Sequence, residues 1–224
     1  MKKVINAIRL YLKTSVNPVT LIVGIFIMFL MSTLFVIEPH PAGSEDYMSM
    51  ISSLGIGHVG VIIIVAFSVL KPYLFKFYVS SSCAKHLFIT APIVFTSIIC
   101  LTYDVIFDIL AYINIGASSL ADIMIFNSIY SGVFILFATF IGKQKYEGFA
   151  VFPYLALLAL SGFISKNKSF QNGFGIPVSL SVIITLVLYM AFIMVTVIIA
   201  NRWWKTGNRT KPVTKTIQAL MGWK

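Results

Sequence analysis

The chain has 224 residues, of which 58% are hydrophobic and only 11% charged, with a mean hydropathy of +0.94. Soluble domains carry about 25% charged residues and about 45–50% apolar ones. Six apolar segments of about 20 residues would consume roughly 120 residues, which leaves no room for a soluble catalytic domain. The net charge of +10 would suggest nucleic acid in a soluble protein. Here the basic residues lie between and beyond the apolar runs, so they orient the chain in a membrane and do not make it a nucleic-acid binder. The composition predicts an all-α integral membrane protein.

Residues 1–16 are polar yet patterned. Val4, Ile5, Ile8, Tyr11 and Leu12 share one helical face, with Lys2, Asn6, Arg9 and Lys13 opposite. This predicts an amphipathic interfacial helix on the anionic inner leaflet, with Ile8 and Leu12 in the acyl boundary and Arg9 and Lys13 among headgroups. The apolar run that follows is too long for a signal-peptide core and has no small-residue cleavage site after it, so the segment is expected to be retained.

Six spans are predicted within the region 17–200, at about 18–37, 50–70, 87–113, 120–141, 148–164 and 176–200, with a basic tail over 201–224. An acidic, proline-broken loop follows the first span. A basic and aromatic loop, Lys71–His86, separates the second and third. Counting Lys and Arg on alternate sides places 4, 3, 2 and 6 on the side of the termini and only Lys166 and Lys168 on the other. Both termini are therefore expected in the cytoplasm, with Trp203 and Trp204 at the interface.

Enzyme motifs are missing. No GxSxG, HExxH or paired-glutamate helix occurs, nor a nucleotide-binding P-loop: Phe137 stands where the first glycine before Gly142-Lys143 would be needed. Leu160-Ser161-Gly162 lies inside an apolar run, where a nucleotide-binding signature would have no use. The two cysteines, Cys83 and Cys100, would lie about 25 Å apart along a helix, too far for a disulfide, and no Cys/His metal spacing is present. The chain itself is expected to bind no cofactor or metal and to catalyse no reaction.

The conspicuous polar residues are Asp104 and Asp108, four apart in the third span and so on one helix face. A carboxylate at the membrane centre costs about 2.5–3.5 kcal/mol on insertion scales, so these two are candidates for a substrate path or proton site. Asn127 in the fourth span is a candidate partner for them if they only pack. His58 in the second span is a weaker candidate for a proton relay, since such a histidine is more often simply hydrogen-bonded. In the Lys71–His86 loop, Lys71, Lys76 and Lys85 alternate with Tyr73, Phe75, Phe77 and Tyr78. That composition suits an interfacial helix and equally a surface that docks a soluble partner.

Six spans, an amphipathic lead-in helix, a compact loop between spans two and three, and a broken connection between spans five and six resemble the permease subunit of type-2 ABC exporters. The stretch Lys76–Ile89 looks like that family's coupling segment, although it lacks an acidic residue and the connection between spans five and six is short. The small size is similar to permeases for amphipathic peptides, such as the phenol-soluble-modulin exporters. The resemblance implies a bacterial plasma-membrane permease that pairs with a second copy or a homologue. It also implies a separate ABC ATPase chain that binds ATP and Mg and pulls on Tyr73, Lys76, Phe77, Tyr78 and Lys85. From other classes, an ion-coupled transporter or channel using Asp104 and Asp108, or a non-transporting immunity-type membrane protein, fits the same composition.

Overall fold

In a computed structural model, the described residues are 2–37, 40, 42–44, 46–70, 82–141, 155, 159, 162–163, 166 and 172–205. Among them the chain is all-helical, with seven α-helices: α1 Lys2–Ser15, α2 Pro18–Ile37, α3 Tyr47–Gly57, α4 Val59–Leu70, α5 Ala91–Ile115, α6 Ala117–Ile141 and α7 Val178–Lys205. Three helical stretches are long and apolar enough to cross a bilayer: α5 with the turn before it, α6 over Ser119–Leu136, and α7. A fourth span arises if α1 and α2, bent against each other by 85°, are taken together. These candidate spans indicate a multi-pass membrane protein. Most of the proposed fifth span, the loop before it, and the tail beyond Lys205 lie outside the described residues.

The expected second span, 50–70, is instead two helices, α3 and α4, that begin at Tyr47 and are interrupted at His58. Gly57 just before the break and Gly60 just after it weaken helix continuity. The His58 ring compensates within the break, with Nδ1 3.0 Å from the Leu54 carbonyl. The backbone resumes with Ile62 N–H donating to the His58 carbonyl at 3.0 Å.

A π-helical turn, His86–Thr90, leads into α5, with Ala91 N–H donating to the His86 carbonyl. Pro92 follows within the first turn of α5. It has no N–H to give and crowds the carbonyl a turn earlier, and a wider turn relieves that clash. α5 ends at Gly116, whose φ of +83° is open to glycine at little cost. A single residue thus separates α5 from α6.

Packing is most extensive between α6 and α7, α5 and α6, and α2 and α4. The α2–α4 crossing rests on two glycines. A Cβ on Gly60 would stand 2.5 Å from the Gly24 carbonyl oxygen, and one on Gly24 would stand 2.8 Å from the Gly60 oxygen. Small residues permit such close approach where apolar burial gives helices little reason to associate in lipid. Along the helices, Ser32, Ser68 and Thr196 hydroxyls donate to carbonyls four residues back, so these polar groups are satisfied without water.

Candidate functional site

The polar residues of α3 to α7 gather in two places. The first is at the Gly116 end of the bundle. There Asp122, near the start of α6 and buried, accepts the Tyr47 hydroxyl at 2.5 Å and the Phe174 N–H at 3.0 Å. Ser119, one turn earlier, accepts the Ala42 N–H at 2.9 Å. Phe174 stacks on Phe126 with ring centroids 5.5 Å apart. Gly173, with φ +72°, leaves no room for a side chain: a Cβ would lie 2.3 Å from Asp122 Oδ2. One carboxylate therefore ties the start of α3, the start of α6 and the segment before α7 together.

The second cluster is deeper. His58, Asp104 and Tyr189 stand eleven residues along from Tyr47, Ile115 and Val178, the ends of their helices on the Asp122 side. At 1.5 Å per residue each sits about 16 Å into the bundle, close to half of a hydrocarbon core about 30 Å thick. All three are buried. His58 Nε2 is 3.3 Å from Asp104 Oδ1 and 3.0 Å from Ser131 Oγ. The Tyr189 hydroxyl donates to Asp104 Oδ2. Asp104 Oδ1 has the imidazole as its neighbour but no aligned hydrogen bond.

Aromatic rings enclose the imidazole. Phe134 is nearly parallel to it at 5.6 Å, Tyr103 meets it edge-on at 5.0 Å, and Tyr130 is tilted at 5.7 Å. No lysine or arginine occurs in α2 to α6. His58 is therefore the basic group within those helices that can answer Asp104. A midplane carboxylate of this kind must be paired or neutralised. One turn nearer Gly116, Asp108 accepts from the Asn127 side-chain amide at 3.0 Å, while Asn127 Oδ1 is buried without a partner.

The two expected acids thus occupy adjacent rungs of one ladder, Asp104 against α3–α4 and α7, Asp108 against α6. Sequence reasoning weighed His58 as a weaker candidate in the second span, and the depth given to it by the start of α3 at Tyr47 was not apparent. Tyr189, Ser131 and the Asp122 clamp were missed. A tyrosine or serine in an apolar run carries no periodic signal until its neighbour helix is known.

The amphipathic lead-in is α1, but its apolar residues divide between two surfaces. Ala7, Tyr11 and Ser15 are buried against the bundle, and Tyr11 meets Phe95 of α5 at 5.7 Å. Ile5, Ile8, Arg9, Leu12 and Lys13 instead line an open groove of about 660 Å³. The expectation that one continuous face meets lipid is modified accordingly: Tyr11 is fully buried while Leu12 is about half exposed. Tyr73, Lys76, Phe77 and Tyr78 lie outside the described residues. Lys85 is exposed immediately before the His86–Thr90 turn. No group of three or more His, Cys, Asp or Glu suited to a metal occurs among the described residues. Compared with protein-family models, curated proteins and solved structures, the chain shows no significant match to any of them.

Proposed function

We propose that this chain is the membrane subunit of an ATP-driven exporter in a bacterial plasma membrane, with six spans, both termini in the cytoplasm and the path formed with a second copy or a homologue. One observation carries the reading. α1 turns by 85° into α2 and packs against the His86–Thr90 turn and α5, directly after the segment expected to dock an ATPase. A push on residues 73–86 would reach the interfacial helix and the third span together. An amphipathic peptide is the substrate class that the resemblance favours, and ATP with Mg belongs to the partner chain.

Alanine at both Phe77 and Tyr78 tests the reading. Buried aromatics tend to dominate such contacts, so the double variant should insert normally yet lose ATPase co-purification and export. Lys76→Ala, a rim charge, should do much less. Full retention of the ATPase by the double variant would refute the coupling role. A second reading, proton-linked transport without ATP, is favoured by the buried His58–Asp104–Tyr189 cluster, an arrangement that is costly at membrane depth unless used.

A further inference from the structure

The cluster around His58 has a proton inventory that its geometry limits closely. Leu54 O can only accept, so the Nδ1 that faces it at 3.0 Å carries a hydrogen and Nε2 is left as the exchangeable nitrogen. Asp104 Oδ2 is taken by the Tyr189 hydroxyl, so Oδ1 is its exchangeable oxygen. Those two atoms face each other at 3.3 Å, and Oδ1 is buried without an aligned hydrogen bond. With no proton between them, a nitrogen lone pair would confront a carboxylate. With one proton between them, whichever atom holds it, the pair has no net charge.

Ser131 lets both conditions exist. Its Oγ is 3.0 Å from Nε2, and a hydroxyl can rotate either to donate to a bare Nε2 or to accept from a protonated one. Apart from Asp108, an acid one turn from Asp104, the other groups around the imidazole are neutral hydroxyls, rings and a thiol. α5 offers Tyr103, with Cys100 and Asp108 a turn away on either side of Asp104; α6 offers Tyr130 and Phe134; α7 offers Tyr189. Among the described residues, α2 contributes the Ser32 hydroxyl, beside Tyr103. The site lies at a helix break about halfway through the bundle, where discontinuous spans in transporters hold their ions.

We propose that His58 Nε2 and Asp104 Oδ1 form a one-proton binding site at the middle of the membrane, with Ser131 as the rotor that serves its empty and loaded states and Tyr189 as the donor that confines the proton to that pair. The site binds and releases a hydron and needs no other reactant. It stands whether or not an ATPase drives the chain.

The test uses full-length protein with ¹⁵N-labelled histidine in lipid vesicles, followed by solid-state nuclear magnetic resonance. Three histidines contribute, and His58→Gln identifies the signal of residue 58. In the parent protein that signal should show two imidazole forms whose proportions change reversibly when the pH of the vesicle suspension is changed. Asp104→Asn removes the second carrier and should leave a single neutral form throughout. Ser131→Ala removes the donor that serves the empty state while Asp104 still serves the loaded one, so it should shift the balance toward the proton-bearing form. This conservative change guards against a folding defect in Asp104→Asn. A single unchanging His58 form in the parent, or two parent-like forms in Asp104→Asn, would overturn the proposal. Neither result bears on ATPase association, which the Phe77 and Tyr78 variant reads separately.

Discussion

Replacing Gly60 by alanine perturbs the α2–α4 crossing at its tightest point. The new Cβ would meet the Gly24 carbonyl oxygen and Met28 Cγ, each at 2.5 Å, and Met28 N at 3.1 Å. Met28 Cγ belongs to a flexible side chain that can swing aside, but the Gly24 oxygen is backbone. Restoring an ordinary contact of 3.4 Å requires the helices to part by about 0.9 Å, which opens the packing along the whole crossing. Overpacking of this kind costs about 1–3 kcal/mol, a factor of roughly 5 to 150 in the folding equilibrium. The helices persist in lipid after they separate, so the usual gain in helix propensity from glycine to alanine offsets little of this. Denaturation in mixed detergent–lipid micelles, with tertiary fluorescence as readout, measures the change. Gly162→Ala, whose Cβ would meet nothing within 4 Å among the described residues, is the control. Combining Gly60→Ala with Met28→Ala should recover only part of the loss, because the backbone clash remains. Parent-like stability of Gly60→Ala, or complete rescue by Met28→Ala, would refute a backbone-limited crossing.

Removing one member of the midplane pair, by His58→Leu or Asp104→Leu, should destabilise by about 3–5 kcal/mol, whereas the joint replacement should cost less than the two summed, because it leaves no buried charge unpaired; an additive double-mutant cycle in the same micelles would contradict the pairing. Tyr47→Phe leaves Asp122 short of one charge-assisted hydrogen bond, a loss of about 1.5–3 kcal/mol, and hydrogen exchange at the Phe174 amide should quicken as the clamp loosens; unchanged exchange would dissociate the two segments. For orientation, a cysteine at position 172 should react with impermeant reagent in intact cells and one at 211 only after permeabilisation, and the reverse pattern would invert the topology.

Much of the helical layout was legible because apolar runs and turn residues are local signals. α2 occupies 18–37 as its run of apolar residues after Asn17-Pro18 indicates, and α5 and α6 meet at Gly116, between the expected spans 87–113 and 120–141. The break at His58 was not legible. Its flanks are as apolar as an unbroken span, and a single histidine between two glycines does not distinguish a kink from a continuous helix. Asp104 and Asp108 could be placed on one face from their spacing of four. Their partners could not, because His58 and Tyr189 come from helices 46 and 85 residues away in sequence. Periodicity says which face of a helix is special and nothing about which other helix opposes it. The lead-in helix was misjudged for a related reason: amphipathicity counts apolar area without saying whether protein or lipid covers it.

The single-residue link at Gly116 has a consequence for how the chain enters a bilayer. α6 is the least hydropathic of the three candidate spans and the most deeply buried, whereas α7 is the most hydropathic and the most exposed. Released alone into hydrocarbon, α6 would carry Asp122, Asn127 and Ser131 with nothing to satisfy them. α5 supplies Asp108 to Asn127 across the turn, and the turn is too short for either helix to travel separately. The two should therefore leave the translocon as one hairpin, its first polar rung already closed. Asp104 and Ser131 would then wait within the nascent bundle for α7, apolar enough to partition unaided, to bring Tyr189 and complete the centre.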